Sequence, residues 1–231
     1  MQISIDGQDC CGKTKQLFLL KEYLEQQHEV VLVKCPSNIG TSGVLRNIVL
    51  HHPVTSLDSN GACWPHTMGD DISLMAGRWA FFAEQLHTYE TQIKPALDAG
   101  KLVLMDRSHF TSNIAYGLGL GLDIVNVMDI TNMQKIYVPA PDLCIIIDVS
   151  YEVACQRLKR RTLSGGECNH FDDINSEVFA LRKKGFDRTL SMFPWTRIIS
   201  GEDEIIAVHH AIRNMVDRFL SHGTVAESNT K

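Results

Sequence analysis

The sequence predicts an α/β fold in three layers, a five-stranded parallel sheet with helices on both faces. Short apolar runs alternate with amphipathic stretches along the chain, as buried parallel strands joined by crossover helices require. A glycine-bearing loop follows the first run and opens directly into a helical pattern. At 231 residues the chain suffices for one well-packed domain and is short for two.

The elements follow in order. A strand over 2–6 rests on the alternation of Ile3 and Ile5, and a helix over 13–27 on Leu17, Leu20 and Leu24, spaced three and four apart. Further strands are expected over 30–34, 102–106, 143–148 and 197–200. Further helices are expected over 42–51, 70–99, 112–120, 125–135, 151–161, 175–193 and 202–222. Residues 53–69, with Pro, Ser, Asn and Gly, read as a surface loop. In 162–170, Gly165 and Gly166 follow the basic stretch Arg157, Lys159, Arg160 and Arg161. That pattern suits a mobile lid spanning about 157–173 and closing over phosphates. The alternative is a solvated helix end whose arginines complement its negative terminus. Residues 1–222 are expected as one domain, with 223–231 a flexible tail.

Composition narrows the function classes. A net charge of −5 with 21% charged residues argues against a nucleic-acid partner. No apolar run reaches membrane-spanning length, and no leader precedes the first strand, so a cytoplasmic protein with no membrane partner is expected. Cys10, Cys11, Cys35, Cys63, Cys144, Cys155 and Cys168 form no C-x-x-C pair, which fits free thiols in a reducing compartment.

The chemistry begins at Gly7, Gln8, Asp9, Cys10, Cys11, Gly12, Lys13 and Thr14, a G-x-x-x-x-G-K-[ST] phosphate loop with Lys15 beside it. Its glycines let backbone N–H groups turn toward phosphates, and the following helix adds its positive end. Lys13 supplies a point charge for the outer phosphates of ATP, and Thr14 a hydroxyl for Mg²⁺. The strand over 102–106 ends in Asp106 and Arg107, at the sheet edge where α/β proteins bind ligands. Arg107 suits a fork onto an acceptor phosphate, and Asp106 suits Mg²⁺ or a water in its shell.

Seven stretches in register resemble the thymidylate kinase family: Gly7 to Thr14, Pro36 to Arg46, Phe81 to Gln85, Lys94 to Leu97, Asp106-Arg107, Ser112 to Tyr116 and Pro141-Asp142. The resemblance runs nearly end to end and implies a P-loop NTPase fold with a mobile lid, transferring the γ-phosphoryl group of ATP to dTMP with Mg²⁺. It implies that Asp9 accepts from the sugar 3′-hydroxyl and that Arg46 and Arg107 hold the acceptor phosphate. Phe81 would stack on the base, Asn113 would bond its edge, and Tyr116 would crowd a ribose 2′-hydroxyl. Pro36 and Ser112 fall within the acceptor-site motifs, and Arg157 and Arg161 would neutralise the transferring phosphoryl. A homodimer through the helices over 42–51 and 70–99 is implied by the same analogy.

The chain departs from the family pattern where Gln85 replaces an arginine. An amide donates to a 4-keto oxygen and equally accepts from a 4-amino group, and Arg78, on the same face, is a candidate to reach along it. Ser37 and Asn38 replace a glycine pair, which suggests a pocket reshaped for dUMP or a 5-substituted dUMP. Cys10 and Cys11 occupy positions where some members carry an arginine, shifting that work to the lid. His51, His52 and His66 lack carboxylate or cysteine partners at metal-ligand spacing and read as polar loop. Asp172, Asp173 and Glu177 read as helix-capping or as touching Mg²⁺. Two rival functions stay open, a deoxynucleoside kinase and a P-loop ATPase switch without a small acceptor.

Overall fold

The computed structural model describes residues 1–49, 54–57, 63–66, 73–165 and 175–228. Chain order runs β1 (Gln2–Gly7), α1 (Lys13–Leu24), β2 (Val30–Lys34), α2 (Gly40–Val49), β3 (Val54–Leu57), β4 (Cys63–His66) and α3 (Leu74–Thr88). A π-turn (Tyr89–Ile93) then leads to α4 (Lys94–Asp98), β5 (Leu102–Asp106), α5 (His109–Gly119) and α6 (Ile124–Tyr137). The chain continues through β6 (Leu143–Asp148), α7 (Tyr151–Leu163), α8 (Ser176–Met192), β7 (Thr196–Ser200) and α9 (Ile205–Ser228).

Five strands form one parallel sheet in the order β2-β5-β1-β6-β7, as expected. Every residue of central β1 is buried, with Ile3 and Ile5 on one face and Gln2, Ser4 and Asp6 on the other. Ile3 and Ile5 join Leu17, Leu20, Ile212 and Val216 on the side of α1 and α9. On β5, Val103 and Met105 turn instead toward Ile93 and Ala96. Alternation thus divides β5 and β6 between two cores, with Leu102, Leu104, Leu143, Ile145 and Ile147 facing one side and Val103, Met105, Cys144 and Ile146 the other.

Four expectations change. Within the span expected as a loop, β3 and β4 pair antiparallel, Val54 opposite His66 and Leu57 opposite Cys63; Val54, Thr55 and Trp64 favour extended backbone. The helix expected over 70–99 starts at Leu74 and passes through the π-turn, where the Lys94 N–H bonds the Tyr89 carbonyl. Pro95, at the start of α4, has no N–H to continue the regular ladder, which shifts to wider bonding just ahead of it. Helix α5 begins at His109, earlier than expected, because the Ser108 hydroxyl accepts from the Phe110 and Thr111 N–H groups. Helix α9 runs to Ser228, past the expected end at 222, so it takes in part of the expected tail. No proline interrupts it.

The span expected as a lid is partly described: Arg157 and Arg161 lie on α7, which ends at Leu163, while 166–174 fall outside the described residues together with Cys168, Asp172 and Asp173. His51, His52 and tail residues 229–231 also lie outside. Among the described residues no helix is long and apolar enough to cross a membrane, and Cys10, Cys11, Cys35, Cys144 and Cys155 are free thiols.

Candidate functional site

The phosphate loop is bent by its glycines and pinned by its neighbours. Gly7 has φ +133°, and a Cβ there would sit 2.3 Å from the Ile147 carbonyl oxygen on β6, so only glycine fits this close approach. Gly12 (φ +101°) stands at the N-terminus of α1 with no side-chain cap. Helices α3, α5, α6, α7 and α8 are instead capped by Ser73, Ser108, Asp123, Ser150 and Asn175. The first N–H groups of α1 are thereby left for an anion.

Lys13 is nearly buried, and its Nζ donates to the Gln8 carbonyl at 2.6 Å. Gln8 turns its side chain inward to the Phe179 carbonyl, and Cys11 is buried, its thiol pushed up by desolvation. These two residues serve the loop through their backbone. Arg157 donates to the Cys11 and Gly201 carbonyls at 3.1 and 2.8 Å, tying α7 to the loop.

Asp6, which the sequence reading passed over, closes the end of β1. Its fully buried carboxylate accepts from Gly7 N (2.8 Å), Ser108 N (3.2 Å), the Ser112 hydroxyl (2.9 Å) and Thr111 Oγ1. The loop is thus fixed against the start of α5, and Ser112, expected at the acceptor, is bonded to this carboxylate.

Arg107 joins the halves of the site. It takes φ +79°, a left-handed conformation that costs a non-glycine residue about 1 kcal/mol or more. That backbone directs the guanidinium to the Gly7 carbonyl (Nη1, 3.1 Å) and onto Asp9 Oδ1. The Tyr116 hydroxyl donates to Asp9 Oδ2 at 2.8 Å, and Arg182 of α8 approaches the same oxygen at 3.6 Å. Both guanidiniums stand over the Tyr116 ring, at 4.9 and 4.5 Å. Burial alone would raise the Asp9 carboxyl, but Arg107, Lys13, Arg182 and the Tyr116 hydroxyl together hold it below its ordinary value. Burial pushes the Tyr116 phenol well up, so it stays a donor.

A single cleft of about 570 Å³ runs across this joint. Gly12, Lys13, Thr14, Lys15 and Cys10 line its phosphate-loop end with Arg157 and Arg161, and Asp9, Asp106, Arg107 and Tyr116 line its middle. Pro36, Arg46, Arg78, Phe81, Gln85 and Asn113 line the far end. Of the expected site residues, Gly7, Gln8 and Cys11 do not line it.

The Thr14 hydroxyl donates to Asp106 Oδ2 at 3.4 Å. A hydroxyl and a carboxylate are hard oxygen donors, and Mg²⁺ takes one or two of these and completes its shell with phosphates and water. Among the described residues no cluster of three or more His, Cys, Asp or Glu offers an all-protein cage, so the donor set fits Mg²⁺ held with nucleotide phosphates.

Among the described residues, the far end carries buried guanidinium nitrogens without hydrogen-bond partners. Arg78 is 4% exposed, and its Nε and Nη2 find no hydrogen-bond acceptor among the described residues; desolvation lowers its pKa to about 10. Arg46 Nε is likewise buried and unpartnered. Glu84, fully buried, accepts from Ser37 N (2.8 Å) and the Thr88 hydroxyl (2.7 Å), and burial raises its carboxyl to about 7. It anchors the turn that leads into α2 and Arg46.

The family model for thymidylate kinase matches residues 5–212. A probable thymidylate kinase of Pyrococcus horikoshii is 30% identical over 219 residues, covering 94% of this chain and 96% of that protein. The thymidylate kinase of Caldanaerobacter subterraneus is 28% identical, covering 96% of this chain and 98% of its own. A crystal structure of thymidylate kinase from Ehrlichia chaffeensis superposes with a TM-score of 0.67 at 23% identity, over 94% of this chain and 98% of that one, and shares the fold.

Proposed function

The chain belongs to the thymidylate kinase family, and from that premise we propose that it transfers the γ-phosphoryl group of ATP to the 5′-phosphate of dTMP, giving the diphosphate. It is a nucleoside monophosphate kinase. Related deoxypyrimidine monophosphates such as dUMP or a 5-substituted dUMP belong to the same proposal. The observation that carries the reading is the joint at Arg107, whose guanidinium is tied at once to the phosphate-loop carbonyl of Gly7 and to Asp9. A fork suited to the acceptor phosphate is thereby fixed against the loop that suits the donor.

An ionised phosphate is already a nucleophile, so the protein's task is to bring two anions together, cancel their repulsion and keep water out. The uncapped start of α1 and Lys13 hold the donor phosphates, and Arg107 and Arg46 hold the acceptor phosphate. Arg157 and Arg161, within a lid over about 157–173 of a single domain 1–222, face the charge that spreads on the moving phosphoryl. Thr14 and Asp106 would hold Mg²⁺, which when bound supplies charge neutralisation of the donor phosphates. Asp9 accepts from the sugar 3′-hydroxyl, Tyr116 fills the space of a 2′-hydroxyl, and Phe81 stacks on the base. A homodimer through α2 and α3 is part of the proposal, supported by the exposure of Val44 and Trp79, as is a cytoplasmic setting.

A deoxynucleoside kinase would need a carboxylate base, and Asp9, ringed by guanidiniums and held ionised, is a poor one. The test offers ATP and Mg²⁺ with dTMP, with thymidine, or with no acceptor. dTMP alone is expected to drive ATP consumption; turnover with thymidine, or hydrolysis indifferent to dTMP, refutes the reading.

A further inference from the structure

Three side-chain amides meet at the base end of the cleft. Gln85 and Asn113 line it; Gln134 of α6 is fully buried and does not. Asn113 Nδ2 donates to Gln85 Oε1 at 3.0 Å and to Gln134 Oε1 at 2.8 Å. Gln85 Nε2 donates to Asn113 Oδ1 at 3.3 Å, and Gln134 Nε2 donates to Gln85 Oε1.

An amide nitrogen has two hydrogens and its oxygen two lone pairs. Asn113 has spent both hydrogens and Gln85 both lone pairs. What these two residues still offer is one N–H from Gln85 and one lone pair from Asn113, a donor beside an acceptor. That pair complements the 4-keto oxygen and N3–H of uracil or thymine.

Reversing all three amides together preserves every one of these bonds with donor and acceptor exchanged. Gln85 then offers a lone pair and Asn113 an N–H, which complements the 4-amino group and N3 of cytosine. Reversing Gln134 alone sets N–H against N–H and oxygen against oxygen, so the change is concerted. Among the described residues, no backbone or charged group hydrogen-bonds any of the three amides and fixes one sense. An arginine at position 85, donor only, would abolish the second state.

We propose that Gln85, Asn113 and Gln134 form a reversible base reader admitting both 4-keto and 4-amino deoxypyrimidine monophosphates, with Gln134 the positioning residue that makes the two readers turn together. The proposal rests on the kinase reading above.

The test measures kcat/KM for dTMP and dCMP with saturating ATP and Mg²⁺. The wild-type values are expected within about 30-fold of each other, and a larger gap in favour of dTMP overturns the reader while leaving the kinase reading intact. Turnover of neither nucleotide overturns the reader, and if dUMP and 5-hydroxymethyl-dUMP also fail, it refutes the kinase reading as well. Gln85→Arg should lower dCMP relative to dTMP by a further 30-fold or about that, and an equal loss for both overturns the proposal. Gln134→Met, close in volume, should raise KM for both monophosphates about fivefold or more with kcat and the KM for ATP held. Unchanged monophosphate KM values deny Gln134 its positioning role. The wild-type comparison needs no variant and stands even where one fails to fold.

Discussion

At the donor end of the cleft the groups suited to phosphate are backbone N–H groups in a loop bent by Gly7 and Gly12, with Lys13 bonded to the loop's own carbonyl. At the acceptor end they are side chains from α2, α3 and the turn before α5, and among the described residues Arg78 Nε and Nη2 and Arg46 Nε are buried with no hydrogen-bond partner. The first end leaves the opening N–H groups of α1 to an anion and is held in shape by Asp6 and Arg157. The second retains desolvated guanidinium nitrogens with no partner among the described residues, which favours binding an anion at the expense of stability. On the proposed reading, a common triphosphate would be gripped by fixed backbone, whereas the choice among monophosphates would be left to side chains that a few substitutions can retune.

The sharpest way to break this comparison is at the ends themselves. Lys13→Ala should lower kcat/KM for transfer by about a thousandfold or more with the fold intact, read by steady-state kinetics and circular dichroism. Arg107→Ala should lose a similar factor, about a thousandfold, and should raise the KM for both nucleotides, because the residue grips Gly7 as well as Asp9. A change confined to the monophosphate KM would mean that the two ends are independent.

Glu84 sharpens the comparison through pH. Its carboxyl is raised from 4.5 to about 7, so the folded state favours the protonated form. The destabilisation is absent below the unfolded value, grows as pH rises between the two, and is full above about 7, reaching roughly 3 kcal/mol. Glu84→Gln keeps an acceptor for Ser37 and Thr88, and should raise stability above pH 7 while flattening its pH dependence in that window. Denaturant melts at pH 5 and 8 check this. A variant less stable than wild type at pH 8 would mean that the ionised carboxylate is an asset there.

The smallest expected effect is at Arg78. Arg78→Met should stabilise the free protein by about 1 kcal/mol, since it removes a buried cation with no hydrogen-bond partner among the described residues. It should also shrink the melting-temperature rise that dTMP produces. A melting temperature lowered in the free protein would show that Arg78 supports the fold instead.

The two ends also differ in how far the sequence discloses them. The phosphate loop is legible because backbone chemistry is set by glycine spacing within one contiguous stretch, and the parallel sheet because short apolar runs recur between amphipathic stretches. Arg182 and Gln134 escaped notice because their work depends on distant elements. A signal existed: Gln134 falls on the buried stripe with Val127, Ile130 and Thr131, and Arg182 on that with Phe179, Phe186 and Thr189. A polar side chain on an apolar stripe must find buried partners. Asp6, inside a wholly buried strand, carried the same signal. The π-turn and the β3-β4 hairpin were missed because proline chemistry and short-range pairing adjust elements locally without altering the apolar period.

The account's central claim is direct transfer between two nucleotides across the Arg107 joint. ATP labelled at its γ-phosphate, incubated with dTMP, Mg²⁺ and the protein, should place the label in the β-phosphate of dTDP, one for each ATP consumed. Label released as inorganic phosphate, at a rate unaffected by dTMP, would contradict it.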